Sequence, residues 1–193
     1  MTREIELEPR DELNARLIEN VHPPSWQNPT PRGRYNLVVI GAGTGGLITA
    51  LIASSLGARV ALIERHLMGG DCLNVGCVPS KSMIRGAQIL HEARRAAELG
   101  LSVSAEDAGD FGAVMRRVRE VRARISDEDS AKRYSEEFGI DVFLGDARFE
   151  GEGRIVVGDR TLEYRKAVIA TGARAIAPPI DGLAETGHLD NET

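Results

Sequence analysis

The sequence predicts an α/β domain in which a parallel sheet is followed by a β-rich segment. Three observations carry this. A short apolar run, Leu37-Val38-Val39-Ile40, ends abruptly in glycines, as a strand buried on both sheet faces does. A helical stretch and a second apolar run follow it at the spacing of a strand-helix-strand unit, whose crossover must be right-handed to pack back on the sheet. The last third of the chain is a series of short strand-like runs punctuated by glycine. At 193 residues and 42% hydrophobic content the chain is long enough to bury a core.

Taken in order, Asp11 stands where a helix N-cap belongs, ahead of an apolar stripe at helical spacing, Leu13, Leu17, Ile18 and Val21. Residues 22–31 hold Pro23, Pro24, Pro29 and Pro31, cannot sustain a helix, and read as an extended linker with Trp26 as its docking anchor. Residues 1–34 therefore form an N-terminal extension and linker, and the domain begins at Tyr35. A helix is expected over residues 44–56 and a strand over 59–63, then a long helix over 72–99. A further helix begins near Asp110 with Phe111, Val114, Val118, Val121 and Ile125 on one side. Its arginines, Arg116, Arg117, Arg119, Arg122 and Arg124, read as a solvated face. Strands are expected at 141–144, 147–149, 154–157, 161–164 and 167–170, with turns at Gly151 and Gly153 and at Gly158-Asp159. The domain reading spans 35–175, and residues 176–193, with Pro178 and Pro179, read as the start of a connection onward.

Composition excludes several functions. A net charge of -5 lacks the clustered basic face that nucleic acid requires, and an aromatic content of 4% disfavours base stacking. The first ten residues lack the apolar core of a signal peptide and no apolar stretch is long enough for a bilayer, so the expectation is a cytoplasmic protein without a membrane partner.

Two segments carry chemistry. Gly41-Ala42-Gly43-Thr44-Gly45-Gly46 follows a strand and opens a helix, the context in which G-x-G-x-x-G signals a dinucleotide. Gly41 permits the tight turn, Gly43 lets the backbone approach a pyrophosphate, and Gly46 lets the helix pack closely on the strand. Glu64, at the end of the second strand, is placed to accept hydrogen bonds from adenosine ribose hydroxyls. The loop alone does not separate FAD from NAD. The second segment, Gly69-Gly70-Asp71-Cys72-Leu73-Asn74-Val75-Gly76-Cys77-Val78-Pro79-Ser80-Lys81, contains both cysteines of the chain. If helical, they lie about one and a half turns apart, compatible with a local disulfide, and a helix N-terminus there should lower a thiol pKa. A zinc site would need further ligands, and His22, His66, His91 and His188 are scattered, so no metal site is expected. Glycine and polar neighbours fit inert buried thiols poorly.

The segment from Gly69 to Lys81 resembles the redox-active disulfide motif of the class I pyridine nucleotide–disulfide oxidoreductases, which include lipoamide dehydrogenase, glutathione reductase and mercuric reductase. The order of dinucleotide loop, acidic residue, cysteine pair and Ala170-Thr171-Gly172 is also theirs, from about Tyr35 to Thr193. The resemblance implies a Rossmann-like FAD-binding domain with a parallel sheet, long helices and an added antiparallel β-meander. It implies that Gly41, Gly43, Thr44 and Gly46 hold the FAD pyrophosphate, Glu64 the ribose, and Ala147 the adenine, with Gly70, Asp71, Thr171 and Gly172 near the cofactor. Cys77 would face the flavin, Cys72 would attack a disulfide substrate, and Lys81 would sit near flavin N5. Asp71 replaces the threonine of the best-known members, which is closer to mercuric-reductase-related proteins.

The same resemblance implies NAD(P)H as co-substrate, a small-molecule disulfide, thiol or metal-ion substrate, and a homodimer for the full-length protein. Family members are much longer, with a second dinucleotide loop and a C-terminal interface domain, so the chain is expected to be their N-terminal portion. The alternative is a truncated stand-alone flavin-binding or thiol-redox module.

Overall fold

Neighbouring residues of the first strand point into two different cores. This computed structural model describes residues 5–102 and 109–192; the first four residues of the extension, residues 103–108 and Thr193 lie outside the described residues. In β1 (Tyr35–Ile40), Val39 joins one buried cluster and Val38 the other. The alternation repeats in β2 (Val60–Glu64), where Leu62 and Ile63 divide in the same way, and in β3 (Asp141–Leu144), where Val142 and Phe143 do. Strands buried on both faces need no polar positions, which is why they read as unbroken apolar runs.

The sheet has six strands in the order β3-β2-β1-β6-β5-β4, with β4 (Ala147–Phe149), β5 (Arg154–Val157) and β6 (Arg160–Ile169). The pairs β3-β2, β2-β1 and β1-β6 are parallel; β6-β5 and β5-β4 are antiparallel. The meander is therefore continuous with the parallel sheet. Where two separate strands were expected at 161–164 and 167–170, β6 runs through Arg165 and Lys166 without interruption. Its first half bonds β5, from Arg160 to Glu163, and its second half bonds β1, through Ile169. Both charges are exposed, on opposite faces of the strand, and neither ends it.

Helices α1 (Glu12–Val21) and α2 (Thr44–Ser55) contribute Leu17, Val21, Leu47 and Ala50 to the first core. On the second face Ile155, Val157 and Leu162 of the meander pack against Val38, Ile63 and Phe143, so the sheet curls over its own face. Each fully buried aliphatic side chain of this kind stabilises by about 1.5–3 kcal/mol relative to exposure.

The N-terminal arm is tied down along its length. Asp11 caps α1, accepting from Leu13 N at 3.1 Å and Asn14 N at 2.9 Å. The linker then crosses the outer edge of β3. Trp26 Nε1 donates to Val142 O at 3.2 Å; the Asn28 side chain donates to Leu144 O at 3.0 Å and accepts from Leu144 N at 2.7 Å. These bonds cover β3 edge groups that a bare edge strand leaves open for wrong partners.

The expected helix over 72–99 is instead three pieces: α3 (Gly70–Asn74), α4 (Cys77–Arg95) and a 3-10 turn, Ala96–Leu99. The break falls at Gly76, with φ -124° and ψ -105°, where a Cβ would lie 2.8 Å from Asp71 O. The Asn74 amide holds the break by donating to Gly70 O at 2.9 Å and Met68 O at 3.2 Å. Helix α5 (Phe111–Ile125) is capped by Asp110 as expected, and α6 (Ala131–Glu136) is an additional short helix. A final turn, α7 (Leu183–Thr186), follows the proline segment. Among the described residues no helix is long and apolar enough to cross a membrane.

The solvated-face reading of α5 holds for Arg116, Arg117 and Arg124, which are exposed, and fails for Arg119 and Arg122. The arm covers that side of the helix, and Arg119 Nε binds Asp11 at 2.8 Å. Burial pushes the Asp11 carboxyl up, but the bonds from Asn14, Arg119 and Leu13 outweigh it and hold the carboxyl below its ordinary range. A carboxyl so held stabilises the fold above that range, and the contribution disappears as pH falls through its folded pKa. Asp11→Ala should therefore destabilise the chain by about 1 kcal/mol at neutral pH, the usual worth of an N-cap. In urea melts the gap to the wild type should narrow as pH falls below about 4.

A candidate dinucleotide and redox site

Three loops meet at the carboxyl ends of the parallel strands, and glycines allow them to touch. Gly41 follows β1 with φ 101°, and a Cβ on it would lie 2.3 Å from Ala170 O after β6. Gly46, in the first turn of α2, lies so close to the strand end that a Cβ would fall 1.8 Å from Gly41 O. Gly70 approaches Gly43 backbone to backbone, with its missing Cβ 2.7 Å from Gly43 Cα, while Gly69 N donates to Ala42 O at 2.8 Å. Helix α2 has no side-chain cap. Its first-turn N–H groups face the loop as donors for an anion.

The second strand supplies the carboxylate. Glu64 Oε2 accepts from Ala42 N at 2.7 Å and Oε1 from His66 N at 2.8 Å, which fixes the group and leaves lone pairs for two hydroxyls. Gly145 N donates to Glu64 O at 2.8 Å, bringing Gly145-Asp146-Ala147 alongside. Between these segments runs a cleft of about 1060 Å³. It lies outside the carboxyl ends of the strands, where open α/β sheets bind ligands.

Of the residues singled out in the sequence, Gly41, Gly43, Thr44 and Glu64 line this cleft, as do Gly70, Asp71, Cys72, Ala147, Thr171 and Gly172. Three lie off it. Gly46 sits beneath the loop, where it permits close packing; Cys77 and Lys81 are exposed one turn apart on α4. The sequence reading missed Asn74 and Arg122, which also line the cleft. Asn74 left a signal, being a polar residue at an apolar position between the cysteines. Arg122 left none, because it repeats the charge pattern of its exposed neighbours on α5.

Both cysteines are free, Cys72 half-buried and Cys77 exposed. A thiolate promoted by a helix terminus was expected, but for Cys72 the shift runs the other way. Its hydrogen bond with Cys77 comes first in pushing the thiol up, burial second, and a bond from Thr44 only partly opposes them. The physical reason is the break at Gly76, which sets the two thiols near the starts of different helices, close enough for Cys77 to act on Cys72. Asp129 adds a negative charge nearby; its own carboxyl is pushed up by burial and by Glu128.

The donor set fits a flavin dinucleotide in its adenosine and pyrophosphate half. At Gly41, Gly46 and Gly70 a Cβ would collide with backbone, Glu64 is fixed by two backbone N–H groups with lone pairs left for a ribose, and the cleft is on the scale of cofactor pockets. Two buried polar atoms on its wall, Asn74 Oδ1 and Arg122 Nε, have no hydrogen-bond partner among the described residues.

The family described as pyridine nucleotide-disulphide oxidoreductase matches residues 35–193, and the chain belongs to that family. It is 31% identical over 151 residues to a dihydrolipoyl dehydrogenase of Acholeplasma laidlawii, covering 78% of this chain and 44% of that protein. It is 33% identical to a mercuric reductase of Bacillus cereus, covering 80% of this chain and 24% of the other. Among solved structures, a Cu(II) complex of the HOCl-induced flavoprotein disulfide reductase RclA from Escherichia coli superposes with a TM-score of 0.57 at 29% identity, covering 77% of this chain and 30% of that one. The chain thus spans less than half the length of these relatives.

Three outcomes follow from the geometry. Gly46→Ala should cost several kcal/mol in a denaturant melt, beyond the ~1–3 kcal/mol of ordinary overpacking, because the new methyl meets a carbonyl rather than a side chain. Gly45→Ala, which meets nothing within 4 Å, should leave apo stability equal or higher. Removing Cys77 removes the first cause of the raised Cys72 thiol. In Cys77→Ala the midpoint of Cys72 alkylation by iodoacetamide should therefore move to lower pH; an unchanged midpoint contradicts the influence of Cys77 on that thiol.

Proposed function

We propose that this member of the pyridine nucleotide-disulphide oxidoreductase family forms the FAD-binding and redox-disulfide part of an NAD(P)H-dependent flavoprotein that reduces a small-molecule disulfide or a metal ion. One observation carries the reading: Cys72, whose thiol is acted on by Cys77, lines a cleft that also holds a glycine loop and the fixed Glu64 carboxylate. Neither feature alone implies redox transfer; together they support a cysteine pair that cycles between dithiol and disulfide beside a dinucleotide.

The residues divide the work. The backbone of Gly41, Gly43 and Thr44 and the α2 N-terminus receive the pyrophosphate, and Glu64 receives the ribose hydroxyls. Ala147 and its neighbours offer backbone to the adenine; Thr171 and Gly172 close the opposite wall. FAD, when bound, supplies the two-electron chemistry that returns the disulfide to the dithiol.

The Cys72 thiolate attacks one sulfur of a substrate disulfide, forming a mixed disulfide and releasing the first thiolate. Cys77 then attacks the Cys72 sulfur, releasing the second thiolate and closing the Cys72–Cys77 bond. Two electrons have left the pair and one substrate disulfide has become two thiols. Asp129, close enough to act on the Cys72 thiol electrostatically, holds negative charge on that side and favours proton retention until attack. Lys81, a turn from Cys77 on α4, offers positive charge on the flavin-facing side.

The proposed setting is the reducing cytoplasm, where a vicinal dithiol persists between turnovers. The dihydrolipoyl dehydrogenase and mercuric reductase relatives support disulfide and metal-ion substrates alike, and a homodimer is the proposed full-length assembly.

The cysteine roles are tested with a chromogenic aromatic disulfide. Reduced wild type should release two equivalents of aromatic thiolate and retain no adduct by mass. Cys77→Ser should release one and retain one adduct on Cys72. Two retained adducts on the wild type would refute the paired mechanism. Glu64→Ala should weaken FAD binding, read by fluorescence quenching, by at least about tenfold, the loss expected for charge-assisted bonds of about 1.5–3 kcal/mol.

A further inference from the structure

Among the arginines of α5, Arg122 lines the cleft, and neither the loop motif nor the cysteine motif uses it. Its Nε is buried, and that nitrogen has no hydrogen-bond partner among the described residues. The acidic group acting on it is Asp11, which is already bound to Arg119 at 2.8 Å and caps α1. Arg119 itself repels it. Burial, and then Arg119, push the Arg122 guanidinium below its ordinary range. A buried, under-compensated cation is costly unless a fitting anion meets it.

The same cleft holds a site for such an anion. The α2 N-terminus and the Gly43–Gly70 approach leave backbone room and donors for phosphate, and guanidinium groups recognise phosphate through paired N–H donors. We propose that Arg122 is a phosphate ligand of this cleft, binding the pyrophosphate of the dinucleotide from the α5 side and held there by the arm through the Asp11–Arg119 pair. The inference rests on the dinucleotide reading above. It makes the N-terminal arm a component of the binding site: by occupying Asp11 with Arg119, the arm leaves Arg122 free for the ligand.

The test compares ADP with adenosine, which differ by the pyrophosphate, in calorimetric titrations of the 193-residue chain and of Arg122→Gln and Arg122→Lys. The expected result is a loss of ADP affinity of about tenfold or more in Arg122→Gln, a smaller loss in Arg122→Lys, and unchanged adenosine affinity. The apo melting temperature of Arg122→Gln should be equal to or above that of the wild type, because an uncompensated charge has been removed. Wild-type ADP affinity in Arg122→Gln overturns the proposal. Equal loss of ADP and adenosine, or a lowered apo melting temperature in both variants, assigns Arg122 a structural role and overturns it too. If the wild type binds neither ADP nor FAD, the dinucleotide reading itself fails, and this proposal with it.

Discussion

The site depends on backbone meeting backbone. Strand β1 can deliver its loop to the start of α2 only because Gly46 has no side chain to strike Gly41 O, and α3 can close over that loop only because Gly70 has none to strike Gly43 Cα. These contacts put the N-terminus of α2, the cysteine segment and the end of β6 within one cleft. A methyl group at Gly41, Gly46 or Gly70 would push neighbouring segments apart, and no flexible side chain is present to yield instead.

From that constraint the chemistry follows in steps. Close approach brings Thr44 within hydrogen-bonding reach of the Cys72 thiol, while the break at Gly76 turns Cys77 back toward Cys72 across the start of a second helix. The break brings Cys77 close enough to raise the Cys72 thiol. Glu64 is likewise fixed from the loop side by Ala42 N, so the carboxylate and the glycine turn form one unit. The arm acts from outside, sealing the β3 edge with Asn28 and Trp26 and engaging α5 through Asp11.

Much of this was legible in the sequence because it rests on local rules. The apolar runs gave β1 and the bounds of β3, β4 and β5, the glycines gave the loop, and Asp11 and Asp110 gave two helix starts. What was not legible depends on distant partners. Arg165 and Lys166 look like a strand break until β1 is seen bonding the same residues' strand, and Gly76 looks helix-compatible until Asp71 O crowds it. Arg119 and Arg122 share a charge pattern with their solvated neighbours and differ in what they meet, Asp11 of the arm for Arg119 and the cleft for Arg122.

The account stands on Cys77 and the cleft serving one cofactor. The direct measurement is the visible absorption spectrum of the chain reconstituted with FAD, before and after two-electron reduction, with Cys77→Ser as control. The account predicts a flavin spectrum that gains a long-wavelength band on reduction, absent in the control. Retained flavin with the same spectrum in both proteins would contradict the placement of Cys77 against the cofactor.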